Sequence, residues 1–169
     1  MSIIKVNEIQ NVAGTQNKGV LQVVSATKTD AFSTTSASAV DLTGMTVTLT
    51  PRSTDSKVFI TGNVEMSCDS SGTTTFINLV RAISGGATSN LAINTDAGTT
   101  NATIANNTSN NYNMTNNGFD FLDSPNTTSA ITYHLEAFCN GSNNIRINRR
   151  GDSTIQGGVS TITAMEIQG

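Results

Sequence analysis

The sequence has no tryptophan, one histidine, two prolines and two cysteines, and only 12% of its 169 residues are charged. Each shortage excludes something. One histidine, His134, rules out a multi-histidine metal site within the chain. Any Ser-His-Asp or Cys-His mechanism would have to use that residue. Cys68 and Cys139 stand too far apart in sequence for a CxxC redox motif or a zinc ribbon. They read as small buried thiols facing a core, with a disulfide between them left open. The charge content is about half the usual share and excludes a coiled coil, which needs abundant Glu, Lys and Leu. A net charge of -3 with no basic stripe argues against nucleic acid as a partner. No apolar run approaches the roughly 20 residues of a membrane-spanning helix, so no membrane insertion is expected. The opening residues lack the apolar core of a secretory signal, and synthesis in a cytoplasm is expected.

Small polar residues fill the gap: 27 Thr, 20 Asn, 18 Ser and 14 Gly. Threonine is β-branched and suits a pleated surface, while Asn, Ser and Gly favour turns. From Val20 onward the pattern is short strands between turns. Strands are expected at Val20–Ser25, Thr46–Thr50, Lys57–Met66, Thr74–Ile83, Gly118–Asp123, Ile131–Cys139, Asn143–Asn148 and Ser160–Ile167. The stretch from Ser84 to Asn117 is the least regular and is expected to hold one or two weak strands and long loops. No segment shows a sustained 3.6-residue apolar period. About eight short strands with turns between them point to an all-β antiparallel sandwich or barrel.

The chain divides into an N-terminal segment, 1–18, and a β domain, 19–169. In the first segment Ile3, Ile4, Val6 and Ile9 are apolar and precede a turn-rich stretch. A short apolar terminus of this kind is held by a partner or pairs as an edge strand of its own domain.

No specific catalytic constellation emerges. His134 lies mid-strand on the face opposite Tyr133 and Leu135, as a half-exposed strand histidine does. Asp120, Asp123, Glu136, Asp152 and Glu166 are the carboxylates from which a glycosidase pair would be drawn, but solvated carboxylates are the simpler reading. No catalytic residue, metal site or cofactor is expected. Six Asn-x-Ser/Thr sequons, at Asn101, Asn106, Asn107, Asn113, Asn126 and Asn140, are what chance gives in so Asn- and Thr-rich a chain. Two spots are candidates for binding. Arg146, Arg149 and Arg150 could grip anionic sugars by forked hydrogen bonds, or could pair with carboxylates across a subunit interface. Tyr112 with Asn113 offers a flat ring beside amide donors and acceptors, suited to a sugar, or serves as a loop anchor.

Several stretches carry a resemblance. Ser2-Ile-Ile-Lys-Val-Asn-Glu-Ile-Gln-Asn11, Val20-Leu-Gln-Val-Val-Ser-Ala-Thr-Lys28, Val40-Asp-Leu-Thr-Gly-Met-Thr-Val-Thr-Leu-Thr-Pro51, Leu122-Asp-Ser-Pro-Asn-Thr-Thr-Ser129 and Ser160-Thr-Ile-Thr-Ala-Met-Glu-Ile167 resemble the small jelly-roll modules of tail-fibre and fibre-like virion proteins of tailed bacteriophages of aquatic bacteria, as in cyanophages. The resemblance implies a jelly-roll-like antiparallel β-sandwich, a homotrimer, a virion location and no catalytic residues. It implies attachment to other virion proteins through 1–18 and adhesion to a host-surface glycan, with Tyr112, Asn113, Arg149 and Arg150 as candidate receptor contacts. A long shaft is usual in tail fibres, and here only a short segment precedes the domain. A head fibre, a capsid decoration or an adapter without a receptor role fits the same length, and a glycan depolymerase is the enzymatic alternative. A trimer suits the composition, since few aromatics leave one subunit lean and association buries more apolar area at roughly 25 cal/mol per Å². Closed symmetry also shields edge strands.

Overall fold

The computed structural model describes residues 19–96, 100–108, 110–140, 143–152 and 155–169. Ile3, Ile4, Val6 and Ile9 lie outside them. The described residues form eleven strands and no helix, and so no helix long and apolar enough to cross a membrane. The strands are β1 (Val20–Lys28), β2 (Phe32–Thr34), β3 (Val40–Leu49), β4 (Lys57–Cys68), β5 (Thr73–Ile83), β6 (Thr88–Leu91), β7 (Ile104–Thr108), β8 (Thr115–Asp123), β9 (Ile131–Asn140), β10 (Ile145–Ile147) and β11 (Ser160–Ile167).

All pairings are antiparallel, and they build two sheets. In the first, β4 carries β8 along one edge and β11 then β10 along the other, with β1 outside β11 and β2 outside β10. In the second, β5 carries β9 on one edge, with β3 beyond it, and β6 then β7 on the other. Three strand positions are thus filled by two segments each: β1 with β2, β6 with β7, and β10 with β11. Counted by position, two four-strand sheets face each other in the orders β1-β11-β4-β8 and β3-β9-β5-β6.

Alternation places the core between the sheets. On β9, Ile131, Tyr133, Leu135, Ala137 and Cys139 point inward and are 0–1% exposed, against Val58, Ile60, Val64 and Met66 of β4 and Ile162 and Ala164 of β11. β5 is buried on both faces over Phe76–Val80, an apolar run interrupted only by Asn78. On its outer side Phe76 stacks on Phe138, ring centroids 4.9 Å apart.

Most expected strands appear near their expected bounds. β2 lies where none was expected, and β3 begins six residues earlier than the alternation at Thr46 suggests. The reason for the second is a large bulge: residues 42–45 of β3 stand against Leu135 alone. Leu42 and Met45 both turn into the core, three positions apart, while Gly44 takes φ +89°. A left-handed φ costs glycine little, and it breaks the two-residue period. Within the irregular stretch, β6, β7 and the first three residues of β8 are ordered strands. Asn143–Asn148 contracts to the three residues of β10. Cys68 and Cys139 are both buried thiols with no disulfide between them. Burial pushes the Cys139 thiol above its ordinary value.

Two polar clusters are sealed at one end of the sandwich, where β4 begins and β11 ends. Asp123 and Glu166 both stand in register with Val58, one on each flanking strand. Asp123 accepts from Arg81 Nη1 at 2.7 and 3.0 Å, from the Tyr133 hydroxyl at 2.8 Å and from the Ser124 N–H at 2.8 Å. Burial, then the nearby Asp123 charge and hydrogen bond, raise the Tyr133 hydroxyl far above its ordinary value, with Arg81 opposing, so Tyr133 remains a donor. Glu166 is fully buried and accepts from Gln22 Nε2 (2.6 Å), the Arg52 N–H (2.6 Å) and Ser56 Oγ (2.7 Å). These bonds hold the β3–β4 loop down over the core.

Candidate loop platform around Tyr112 and Arg150

At the opposite end of the sandwich, two loops meet. One joins β7 to β8 and carries Tyr112. The other, 148–159, is an excursion that leaves the edge of β4 after β10 and returns at β11. Its base is closed by Asn148, whose φ of +60° is a conformation asparagine tolerates better than most residues. Asn148 Nδ2 donates to the carbonyls of Lys28 (2.8 Å) and Asp30 (3.2 Å), and its Oδ1 accepts from Ser160 Oγ at 2.6 Å. The excursion then lies against the end of β4. The Gly151 N–H donates to Ser67 Oγ at 2.9 Å, and a Cβ at Gly151 would sit 1.8 Å from the Cys68 carbonyl oxygen. Only glycine fits that approach.

This path delivers Arg150 to Tyr112, with the guanidinium 5.5 Å from the ring centroid, inside the range of a cation–π contact. Arg150 is oriented from behind by Asp152, which accepts from Nε and, at 2.9 Å, from Nη2. The β7–β8 turn is set by Asn110, whose Oδ1 accepts from the N–H groups of Tyr112 (2.9 Å) and Asn113 (3.1 Å). The Tyr112 ring, 63% exposed, is held from one side and open on the other.

The sequence-predicted contacts therefore divide. Tyr112, Asn113 and Arg150 come together on this platform. Arg149 stands beside Arg150 in the same loop, half-buried, with its Nε buried and without a hydrogen-bond partner. Arg146 is on β10, where Asp69 accepts from its Nη2 at 2.7 Å and also from its Nε. Arg146 and Arg150 each spend a fork on a carboxylate of the same chain. Asp69 was not among the expected site residues, since no spacing rule links it to Arg146.

The carboxylates considered for hydrolysis scatter. Contrary to the solvated reading, Asp123 and Glu166 are buried in the clusters above, while Asp152 is committed to Arg150 and Asp120 lies exposed on the outer face of β8. Glu136 is on the outer face of the second sheet, beside His134. No two of these five are seen facing each other across a cleft among the described residues.

By its strand orders the domain is a jelly-roll-like β-sandwich. The sequence matches no protein-family model and no curated protein. Among solved structures it is similar to infectious bursal disease virus of the Gx strain, at 12% identity and a TM-score of 0.46 over 99% of this chain and 46% of that one. The Gt strain gives 12% identity and a TM-score of 0.48 over 97% and 46%. The VP2 subviral particle of the same virus gives 11% identity and a TM-score of 0.41 over 97% and 46%. The chain spans less than half the length of each of these proteins.

Proposed function

We propose that this chain is a structural protein of a bacteriophage virion, tail-fibre-like, that attaches through residues 1–18 and presents a trimeric jelly-roll-like domain for adhesion to host-surface glycan. The observation that carries the reading is the polarity of the domain. The described chain enters at Gly19, at the end of the sandwich where β1 begins, and the Tyr112–Arg150 platform stands at the other end. An attachment segment and a contact surface are thereby separated by the length of the sheets. An exposed aromatic ring braced by a guanidinium is a face on which a sugar ring can stack, with amides alongside for its hydroxyls. The sequence resemblance supports the virion setting, and the role is non-enzymatic.

Self-association is supported by the outer face of the first sheet. Val23, Met165, Phe59 and Leu122 are successive cross-strand partners and form one apolar row over all four strands. Val23 is 56% and Leu122 54% exposed. A contiguous apolar row on a protein surface marks an interaction face more often than isolated residues do. Three copies joined about an axis would cover it and give weak single-site adhesion the strength of multivalency.

Virions assembled with two variants test the reading. Deletion of residues 2–18 should abolish incorporation of an otherwise folded protein. Tyr112→Ala should incorporate normally and lower virion adsorption to host cells at least tenfold, because the loss is multiplied over three copies. Adsorption unchanged by Tyr112→Ala would remove the adhesive role and leave a decoration or adapter. Incorporation unchanged by the deletion would remove the attachment role.

A further inference from the structure

The outer face of the second sheet carries a cluster unconnected with the loop platform. His134 Nε2 lies 3.5 Å from Asp41 Oδ1 and 3.8 Å from Glu136 Oε1, and one donor atom from each of the three residues falls within 4.8 Å of the others. Alternation on β9 puts His134 and Glu136 on the same face, two residues apart. Asp41 is the cross-strand partner of Glu136 on β3. The bulge at residues 42–45 then skips to Thr46 opposite His134, leaving Asp41 as the nearest β3 carboxylate to the imidazole. On the other flank, Asn78 of β5 is also the cross-strand partner of Glu136 and so shares its face. Asn78 is 5% exposed and its Oδ1 has no hydrogen-bond partner. A buried amide oxygen left unpaired is costly and calls for a ligand.

We infer that Asp41, His134 and Glu136 form a divalent-cation site of the zinc type, with the Asn78 amide oxygen at its buried edge. The donor set selects the metal class. An imidazole nitrogen with carboxylate oxygens suits Zn²⁺, whereas Ca²⁺ and Mg²⁺ take shells of oxygen. The spacing fits as well. Ligands of a tetrahedral zinc at about 2.0–2.1 Å stand about 3.3 Å from one another, close to the 3.5 and 3.8 Å separations from His134. Asp41, its side chain 80% exposed, is free to make the remaining adjustment. His134 and Glu136 are fixed by a strand at the centre of the sheet. Three protein ligands leave a fourth position, open to the Asn78 amide oxygen, to water or to a donor from another surface.

The full-length chain, stripped of metal with a chelator, is titrated with Zn²⁺ by calorimetry and followed by thermal unfolding. One equivalent of Zn²⁺ should bind, raise the unfolding midpoint and shift the His134 ring resonances, while Ca²⁺ and Mg²⁺ at the same concentration do none of these. His134→Ala and Glu136→Gln should each weaken Zn²⁺ binding by about tenfold or more, with the metal-free midpoint unchanged. Should His134→Ala fold poorly, Glu136→Gln and Asp41→Asn carry the comparison, since both keep side-chain shape. The inference is overturned by the absence of any Zn²⁺ response. It is equally overturned by undiminished binding in the variants, which would place the metal away from these three residues.

Discussion

Asp123→Ala should lower the unfolding free energy by about 3–5 kcal/mol, as expected when one partner of a buried ion pair is removed and the other is left behind. Three donors converge on this carboxylate, and two of them have little or no access to water. The Tyr133 hydroxyl is on a fully buried residue, and the Arg81 side chain is 19% exposed. Arg81 also already holds one unmet donor, its Nε. Tyr133→Phe should cost less, about 1.5–3 kcal/mol, because it deletes a single hydrogen bond to a charged group and strands no charge. Replacing Arg81 and Asp123 together with Met and Leu should recover much of the loss, since a buried pair is often matched by apolar side chains of similar volume. Denaturant unfolding at fixed protein concentration reads all three. A loss for Asp123→Ala within the ~0.5 kcal/mol of an ordinary surface substitution would contradict the role assigned to the cluster.

Glu166 should dominate the acid limb of the stability curve. Burial by itself raises its carboxyl, but the hydrogen bonds from Ser56, Arg52 and Gln22, together with the Arg52 charge, outweigh burial and hold it below the ordinary carboxylate value. A group whose folded value is depressed binds its proton more readily in the unfolded chain. Its contribution is therefore complete above the unfolded value, near 4.3 for glutamate, and is lost as pH falls through the folded value. Glu166→Gln puts an NH₂ group among three donors and should cost about 2–3 kcal/mol at neutral pH. The gap between wild type and variant should hold constant above about pH 5 and close as pH falls below about 4. Denaturant midpoints measured between these limits decide it, and a gap that stays constant into acid would show that the carboxylate is not the titrating element.

The same residue shows what the sequence could and could not reveal. Ser160, Ile162, Ala164 and Glu166 share one parity on β11, so the inward place of Glu166 was readable from alternation. Its need for partners was not, because Gln22, Arg52 and Ser56 come from distant segments. The even spacings of Val58 to Met66 and of Ile131 to Cys139 are legible because each strand has one face in the core. β2 escaped notice because three residues cannot display a period, and the start of β3 because the bulge at Gly44 shifts the parity. For the platform, the turn chemistry around Tyr112 and the cationic run Arg149–Arg150 were each visible. Their meeting depends on Gly151 lying flat against β4, a tertiary fact with no local signature. His134 and Glu136 read as neighbours on one face, but Asp41 joins them only through the β3–β9 register, and Asn78 through that of β9 with β5.

The excursion between β10 and β11 has a consequence for how this protein can diverge. Asn148 and Ser160 clasp its base with a side-chain bond, and the strand resumes beyond as though uninterrupted. Apart from the glycines packed against β4 and Asn148 (Gly151, Gly157 and Gly158), residues inside that clasp can change without moving any strand's register, because the ladder is already closed beneath them. The tip of the molecule is in effect an exchangeable cassette on a fixed frame, and changes of sequence should accumulate there while the sheets stay constant.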